Sequence, residues 1–397
     1  MWEPYFLRRR FVSDMSLPQG IFHSRKELVI VSTHQKACIP PQVSQTAAQD
    51  YARNTSAMLS DVDEAMKQQA GLVSDQVEMM LQNHRHHVEF MYTLFRLNMP
   101  ELLTETVVWV YIAYRAHGFS PDYFPAALRC WLDAVRKHLP SSSAREIGAV
   151  YSWMIDHHEF FLETALSREA HEENKDPFPH LSPLKEQFLR GLLEGNLSLC
   201  HNCATGYVTG KEKLQEFYLG VVQPAMVEVG ALWQKGKLSV AREHLATAIV
   251  TRILASQHMQ FISLDKPKGK AIISASANEY HELGARMVAD VLDLDGWDTL
   301  YVGSNVPAGE ALALISNEKP FLVGISVTMP FNLGKAADLI ASIRADEALS
   351  GTKILVGGRA FSFSPNLWRT IGADASPKDA LEALYTANSL WEESIRK

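Results

Sequence analysis

Apolar residues recur at three- and four-residue spacing over the first two thirds of the chain, and the period shortens beyond Lys270. Tyr51, Met58, Val62 and Met66, then Val73, Val77 and Met80, stand at such intervals with polar residues between them, the pattern of amphipathic helices. Asn98-Met99-Pro100 starts a further helix with Pro100 in its first turn, and Gly118 ends it. Ser120-Pro121 opens another, closed by Leu139-Pro140. Ser143-Ala144-Arg145-Glu146 has capping-box spacing, and the helix it opens carries Val150, Trp153 and Met154. Residues 44–175 therefore predict an all-α domain of globin size. Residues 1–43, with Pro18, Gly20 and Pro40-Pro41 and no sustained period, predict an extended N-terminal arm.

After a polar run, residues 176–265 are again helical. Ser182-Pro183 starts a helix ending near Gly195; residues 211–222 and 224–235 give two more, and 239–261 a long last one. These joints predict a small four-helix bundle. From Lys270 the signal becomes short apolar runs alternating with helical segments. The runs are Ala271-Ile272-Ile273-Ser274-Ala275, Thr299-Leu300-Tyr301-Val302, residues 321–327 and Lys353-Ile354-Leu355-Val356. That alternation over 266–397 predicts an α/β doubly wound parallel sheet of flavodoxin-like, Rossmann-like type.

Composition narrows the class. A 47% hydrophobic and 21% charged content is that of a globular chain, and a net charge of −7 argues against a nucleic-acid partner held through phosphates. No apolar run is long enough to span a bilayer, and no signal-peptide core follows Arg8-Arg9-Arg10, so a cytoplasmic protein with no membrane partner is expected. Cys200-His201-Asn202-Cys203 has the spacing of half a zinc site but no second pair nearby, and reads as a plain helical or turn pair.

Ligands of doubly wound sheets bind at the carboxyl ends of the strands. The loop after the first strand, 275–284, lacks the glycine-rich turn of a phosphate site. It carries His281 instead, with Glu279 before it and Gly284 after it. A metal-directed imidazole needs a carboxylate on its other ring nitrogen to fix tautomer and angle, which Glu279 supplies. Taken alone, the loop more readily describes a surface histidine with an acidic neighbour. Ser326-Val327-Thr328 and Gly357-Gly358 then follow later strands on the same rim, and paired glycines at a strand end mark close approach of a ligand or another backbone.

Together, Glu279-x-His281-x-x-Gly284, Ser326-x-Thr328 and Gly357-Gly358 resemble the cobalamin-binding domain shared by methionine synthase, mutases, corrinoid proteins and cobalamin photoreceptors. Glu279 stands where aspartate is commoner, and Thr328 where leucine is. The resemblance implies His281 as the metal ligand on the lower face of cobalt, and a slot for the nucleotide tail lined by Gly284, Ser326 and Gly357. In the bundle, Trp233 followed after nine residues by Glu243-His244 resembles the helical cap of the adenosylcobalamin photoreceptors. That implies Trp233 over the adenosyl group, Glu243 accepting from its ribose, and His244 close by. Gln234 stands where photoreceptors that form a two-histidine adduct have histidine, so the lit state would hold water or another histidine, His244 or His201.

The domain order, with a globin-sized helical domain in place of a DNA-binding module, resembles the photocobilins and implies biliverdin as a second chromophore. His84, His86, His87, His117, His138, His157 and His158 are candidates for lining such a slot or for holding a haem, and Arg85, Arg115 or Arg129 for pairing with a propionate. The function expected from these resemblances is a light sensor rather than an enzyme. It would bind adenosylcobalamin and a bilin and signal by photolysis of the cobalt–carbon bond and light-dependent self-association, as a homo-oligomer. The alternative is a corrinoid protein shuttling methyl groups between methyltransferases; a haem-based gas sensor is a third reading.

Overall fold

Among the described residues, the secondary structure between Gln45 and His258 is helical, and strands begin at Lys270. The computed structural model describes residues 39–69, 73–170 and 178–396; most of the expected arm, residues 1–38, lies outside the described residues. The first helices are α1 (Gln45–Gln69), α2 (Ser74–Leu97), α3 (Glu101–Ala116), α4 (Tyr123–His138), α5 (Ser141–Asp156) and α6 (His158–Ala170). Their core is aromatic and its polar tips are paired. Tyr51 and Tyr151 share a hydroxyl contact of 3.0 Å, His87 Nε2 meets the Tyr151 hydroxyl at 2.9 Å, and His84 bridges Asp63 (2.6 Å) and Tyr123 (3.2 Å). Each such bond is worth about 1 kcal/mol net, and leaving its group unmet would cost more.

The capping box expected at Ser143–Glu146 does not form. Helix α5 begins earlier, at Ser141, with Pro140 before it. The Ser143 hydroxyl donates to Asp50 (2.6 Å), and the Glu146 carboxylate accepts from the amide of Ser44 (2.7 Å). Both side chains therefore stitch α5 to the start of α1: tertiary partners outcompete the local cap.

The bundle comprises α7 (Ser182–Glu194), α8 (Leu197–Tyr207), α9 (Lys211–Phe217), α10 (Gln223–Gln234) and α11 (Val240–His258). The two helices expected over 211–235 run on as one, because a π turn at Tyr218–Val222 joins α9 to α10. A π turn takes its hydrogen bond one residue further on, which accommodates Pro224 without a break. Helix α8, absent from the sequence reading, restores the count of the bundle. It buries Cys200 and Cys203, and burial pushes the Cys200 thiol up to about 12, far from the thiolate a zinc site requires.

Four parallel strands complete the chain: β1 (Lys270–Ala275), β2 (Asp298–Gly303), β3 (Leu322–Ser326) and β4 (Lys353–Gly357), in the order β2-β1-β3-β4. Helices α12 (Leu283–Leu294), α13 (Ala308–Glu318), α14 (Leu333–Ala345) and α15 (Ala380–Ile395) flank them. Two apolar clusters divide the protein. One runs unbroken from the N-terminal helices into Ile272, Val323, Ile325 and α14; the other joins the bundle to Ile273, Leu355, α12 and α15. The sheet is thus sandwiched with a different helical layer on each side.

Burial lowers the His86 and His87 imidazoles to about 4 and about 3, from an ordinary value near 6.5. Unfolding exposes both, so the unfolded chain binds more protons than the folded one below pH about 6.5, and stability falls as pH drops from there toward 4. Thermal melts followed by circular dichroism should show this loss, and His87→Gln should make it shallower; an equal slope in both proteins would refute the assignment.

Candidate functional site

The strand order reverses between β1 and β3, so the loops leaving their carboxyl ends diverge and open a crevice. The β1 loop carries Glu279 and His281, and the β3 loop carries Thr328, Met329 and Asn332. Glu279 joins them. Its side chain is buried, and it accepts five hydrogen bonds. The amides of Thr328 (2.9 Å) and Met329 (2.8 Å) and the Asn332 side chain (3.1 Å) bind one oxygen. The amide (3.1 Å) and Nδ1 (2.5 Å) of His281 bind the other.

Burial alone would raise the Glu279 carboxyl, but the bond to His281, its charge, and the Met329 and Asn332 donors outweigh it and hold the group below the usual carboxylate range. A carboxylate can only accept, so His281 Nδ1 carries the proton between them and Nε2 is turned away from Glu279. An uncompensated buried carboxylate would cost several kcal/mol, and charged hydrogen bonds of about 1.5–3 kcal/mol each offset that cost. The ring is therefore held in one orientation.

His281 lies on the wall of a cleft of about 400 Å³ that opens to solvent, within the roughly 300–1,000 Å³ of ordinary small-molecule pockets. The bundle forms one side of the cleft, through Leu219, Gln223, Met226, Glu243 and Thr247. The sheet rim forms the other, through Gly284, Ser326, Thr328, Gly357 and Gly358. Lining by Ile273, Gly324 and Leu355 carries the cleft down to the strands themselves. Two of the glycines do different work. A Cβ on Gly284 would meet no atom within 4 Å, so that position leaves open space at the start of α12. Gly358 has a φ of +87°, and a Cβ there would come within 2.5 Å of the Val327 carbonyl oxygen, so the backbone itself requires glycine.

Glu279 stands behind His281 rather than on the cleft wall. Glu243 faces the cleft, with Oε1 accepting from the Thr247 hydroxyl (3.0 Å) and Oε2 paired with His244 (2.8 Å). His244 itself is half-buried and is not part of the lining. Trp233 is buried, but away from the cleft: its ring sits 5.3 Å from that of His117, at the contact between α10 and α3. The structure adds Asn332, Gln223 and Thr247 to the residues the sequence singled out. An asparagine just before a helix, as Asn332 is, was the one available signal for the first of them.

A second cavity lies in the N-terminal helices, walled by Trp109, Tyr111, Tyr123 and Trp131 and by Met329, Pro330 and Phe331 of the β3 loop. Of the cations expected to pair with a propionate, Arg85 and Arg129 are exposed and line no part of it. His84, His86 and His87 do line it, His84 and His87 with the core bonds already described.

An open cleft with an oriented imidazole on its wall, at the switch point of a doubly wound sheet, is what a cobalamin-binding module presents. Two family models, each described as a B12 binding domain, match residues 269–385 and 184–256. Dimethylamine corrinoid protein 3 of Methanosarcina acetivorans is 25% identical over 167 residues, 42% of this chain and 77% of its own length. Monomethylamine corrinoid protein 1 of the same organism is 32% identical over 128 residues, 31% of this chain and 57% of its own. Among solved structures, the monomethylamine corrinoid protein of Methanosarcina barkeri aligns with a TM-score of 0.47 and 16% identity, over 53% of this chain and 99% of that one.

These relatives overturn the expected light sensor: they are corrinoid proteins named for methylamines, and neither photoreception nor biliverdin finds support among them. The pattern that carried that expectation, Trp233 to Glu243-His244, spans the joint between α10 and α11, and only its glutamate reaches the cleft. Among the described residues, no helix is long and apolar enough to cross a membrane.

The residues present fit a cobalamin: Gly284 leaves room beside the helix start, and the buried Glu279 has no evident purpose other than to hold His281. Gly284→Leu should keep the melting temperature, since leucine favours the helix by about 1 kcal/mol over glycine. The same change should weaken cobalamin retention about tenfold or more by filling the slot. Equilibrium dialysis against hydroxocobalamin checks this, and unchanged retention would mean the cleft is not the site. Gly358→Ala, by contrast, should lower the melting temperature itself.

Proposed function

We propose that the protein carries methyl groups on a bound cobalamin between methyltransferases, with His281 as the lower ligand to cobalt. The observation that carries this reading is the Glu279–His281 pair on the wall of the cleft. The methylamine corrinoid proteins among its relatives support it, and methylamines are accordingly the candidate methyl source. When bound, the cofactor supplies a cobalt that can accept a methyl group from one partner and release it to another.

The protein's own part is to bind, orient and shield. His281 presents Nε2 to the metal while Glu279 fixes the ring and keeps the proton on Nδ1. Ser326, Thr328, Gly357 and Gly358 line the rim beside it, and Gly284 leaves passage for the nucleotide tail. On the opposite side of the cleft Leu219, Met226 and Glu243 of the bundle would cover the bound cofactor and limit water there. The partner enzymes must reach that face, so the bundle is the part that yields during transfer. In this reading the upper group is methyl rather than adenosyl, and a bilin has no role.

The test is to load the protein with cobalamin, reduce it, and offer it mono- or dimethylamine with the matching methylamine methyltransferase. Methylation, followed by absorbance, should exceed that of free cobalamin at equal concentration. His281→Ala should lower the rate about tenfold or more. A rate equal to that of free cobalamin with every enzyme tried would sink the proposal.

A further inference from the structure

The β3 loop that grips Glu279 is itself gripped from the other side. Met329 and Asn332, which donate to the Glu279 carboxylate, flank Phe331 in the short turn Pro330–Asn332. The Phe331 ring does not face the cobalamin cleft. It is stacked on His86 of α2, with ring centroids 4.0 Å apart and planes 5° from parallel. Helix α2 continues along the start of α14. Arg96 donates to the Gly334 carbonyl (3.0 Å) and pairs with Asp338, and Thr93 lies so close that a Cβ on Gly334 would approach its hydroxyl to 2.5 Å. The turn carries no strand pairing of its own, so beside the bonds of Met329 and Asn332 to the β1 loop its position depends on what packs on Phe331.

We infer that the N-terminal helical domain positions the cobalt ligand, with His86 and Phe331 as positioning residues that act through the Met329 amide and Asn332 on Glu279, and through Glu279 on His281. The inference rests on the assignment of His281 as axial ligand. Between the His86 ring and the His281 ring stand only one aromatic contact, one turn and one carboxylate. Displacing Phe331 moves the Met329 amide and the Asn332 side chain together, because Met329 lies two residues before it and Asn332 directly after it. Glu279 would then lose two of the donors on one oxygen, and the imidazole held by its other oxygen would lose its fixed angle. Whatever shifts α2 against the sheet thereby changes how strongly cobalt is ligated from below, with no contact to the cofactor.

The full chain, loaded with a cobalamin analogue that lacks the benzimidazole base, so that the protein is the source of any axial nitrogen, and reduced to the cobalt(II) state, gives a direct readout in its electron paramagnetic resonance spectrum. One axial nitrogen splits each cobalt line into three. Wild type should show that triplet, and His281→Ala should lose it. His86→Ala should lower the ratio of ligated to unligated cobalt about tenfold, the scale on which outer partners of a metal ligand act. Phe331→Leu keeps an apolar side chain of similar bulk without the flat ring and should do the same, and His86→Phe, which restores a stacking ring, should recover the triplet. Full triplets in His86→Ala and Phe331→Leu at wild-type cobalamin occupancy would overturn the inference while leaving the ligand assignment intact. A triplet that survives His281→Ala would overturn both.

Discussion

A carboxylate buried between two loops is the constraint on which the site depends. Glu279 belongs to the β1 loop, yet three of its five donors come from the β3 loop, so it closes the gap that the reversal of strand order opens. Remove its charge and the imidazole loses its tautomer; remove its donors and the charge becomes too costly to bury. Fold and chemistry are coupled at this residue: the sheet topology creates the crevice, and the carboxylate that spans it turns the crevice into a ligand holder.

Two helical layers serve this centre from opposite sides. The bundle faces the open cleft with apolar side chains and one carboxylate, Glu243, and the N-terminal helices back the β3 loop. Their difference in position corresponds to a difference in task. Both are joined to the sheet by apolar clusters, but the bundle also borders the open cleft, where under the proposed function a reacting group would sit. The N-terminal helices share their cluster with α14 and back the loop that holds Glu279.

The architecture was legible because its signals are periodic. Alternating short apolar runs and amphipathic segments marked the parallel sheet, and Glu279, His281, Ser326, Gly357 and Gly358 stood at strand ends where ligands bind. What escaped has physical reasons. Helix α8 mixes small, polar and apolar residues without a sharp stripe, and its start is marked only by the Asn196 side chain accepting from the Leu199 amide. Ser143 and Glu146 have the spacing of a cap but satisfy partners about a hundred residues away, and no local rule sees that. Trp233 shows the limit of spacing as evidence: nine residues from Glu243 in sequence, it points to a different neighbour because the joint between α10 and α11 turns it toward α3. The docking of α2 on the β3 loop depends on contacts some 245 residues apart, such as His86 to Phe331, which no window along the chain contains.

The unbroken cluster from the N-terminal helices into α14 also bears on how such a chain could have been assembled. A carrier module that acquires a neighbour through a flexible linker keeps its own finished surface, and the two parts can later separate. Here Leu333, Ala336, Leu339 and Ile340 belong to the same apolar core as Phe90, Leu94 and Phe95. Cutting the helical domain away would leave that face of the sheet domain raw and prone to self-association. The two parts are therefore committed to each other, and sequence changes on α2 and α14 have to arise in step.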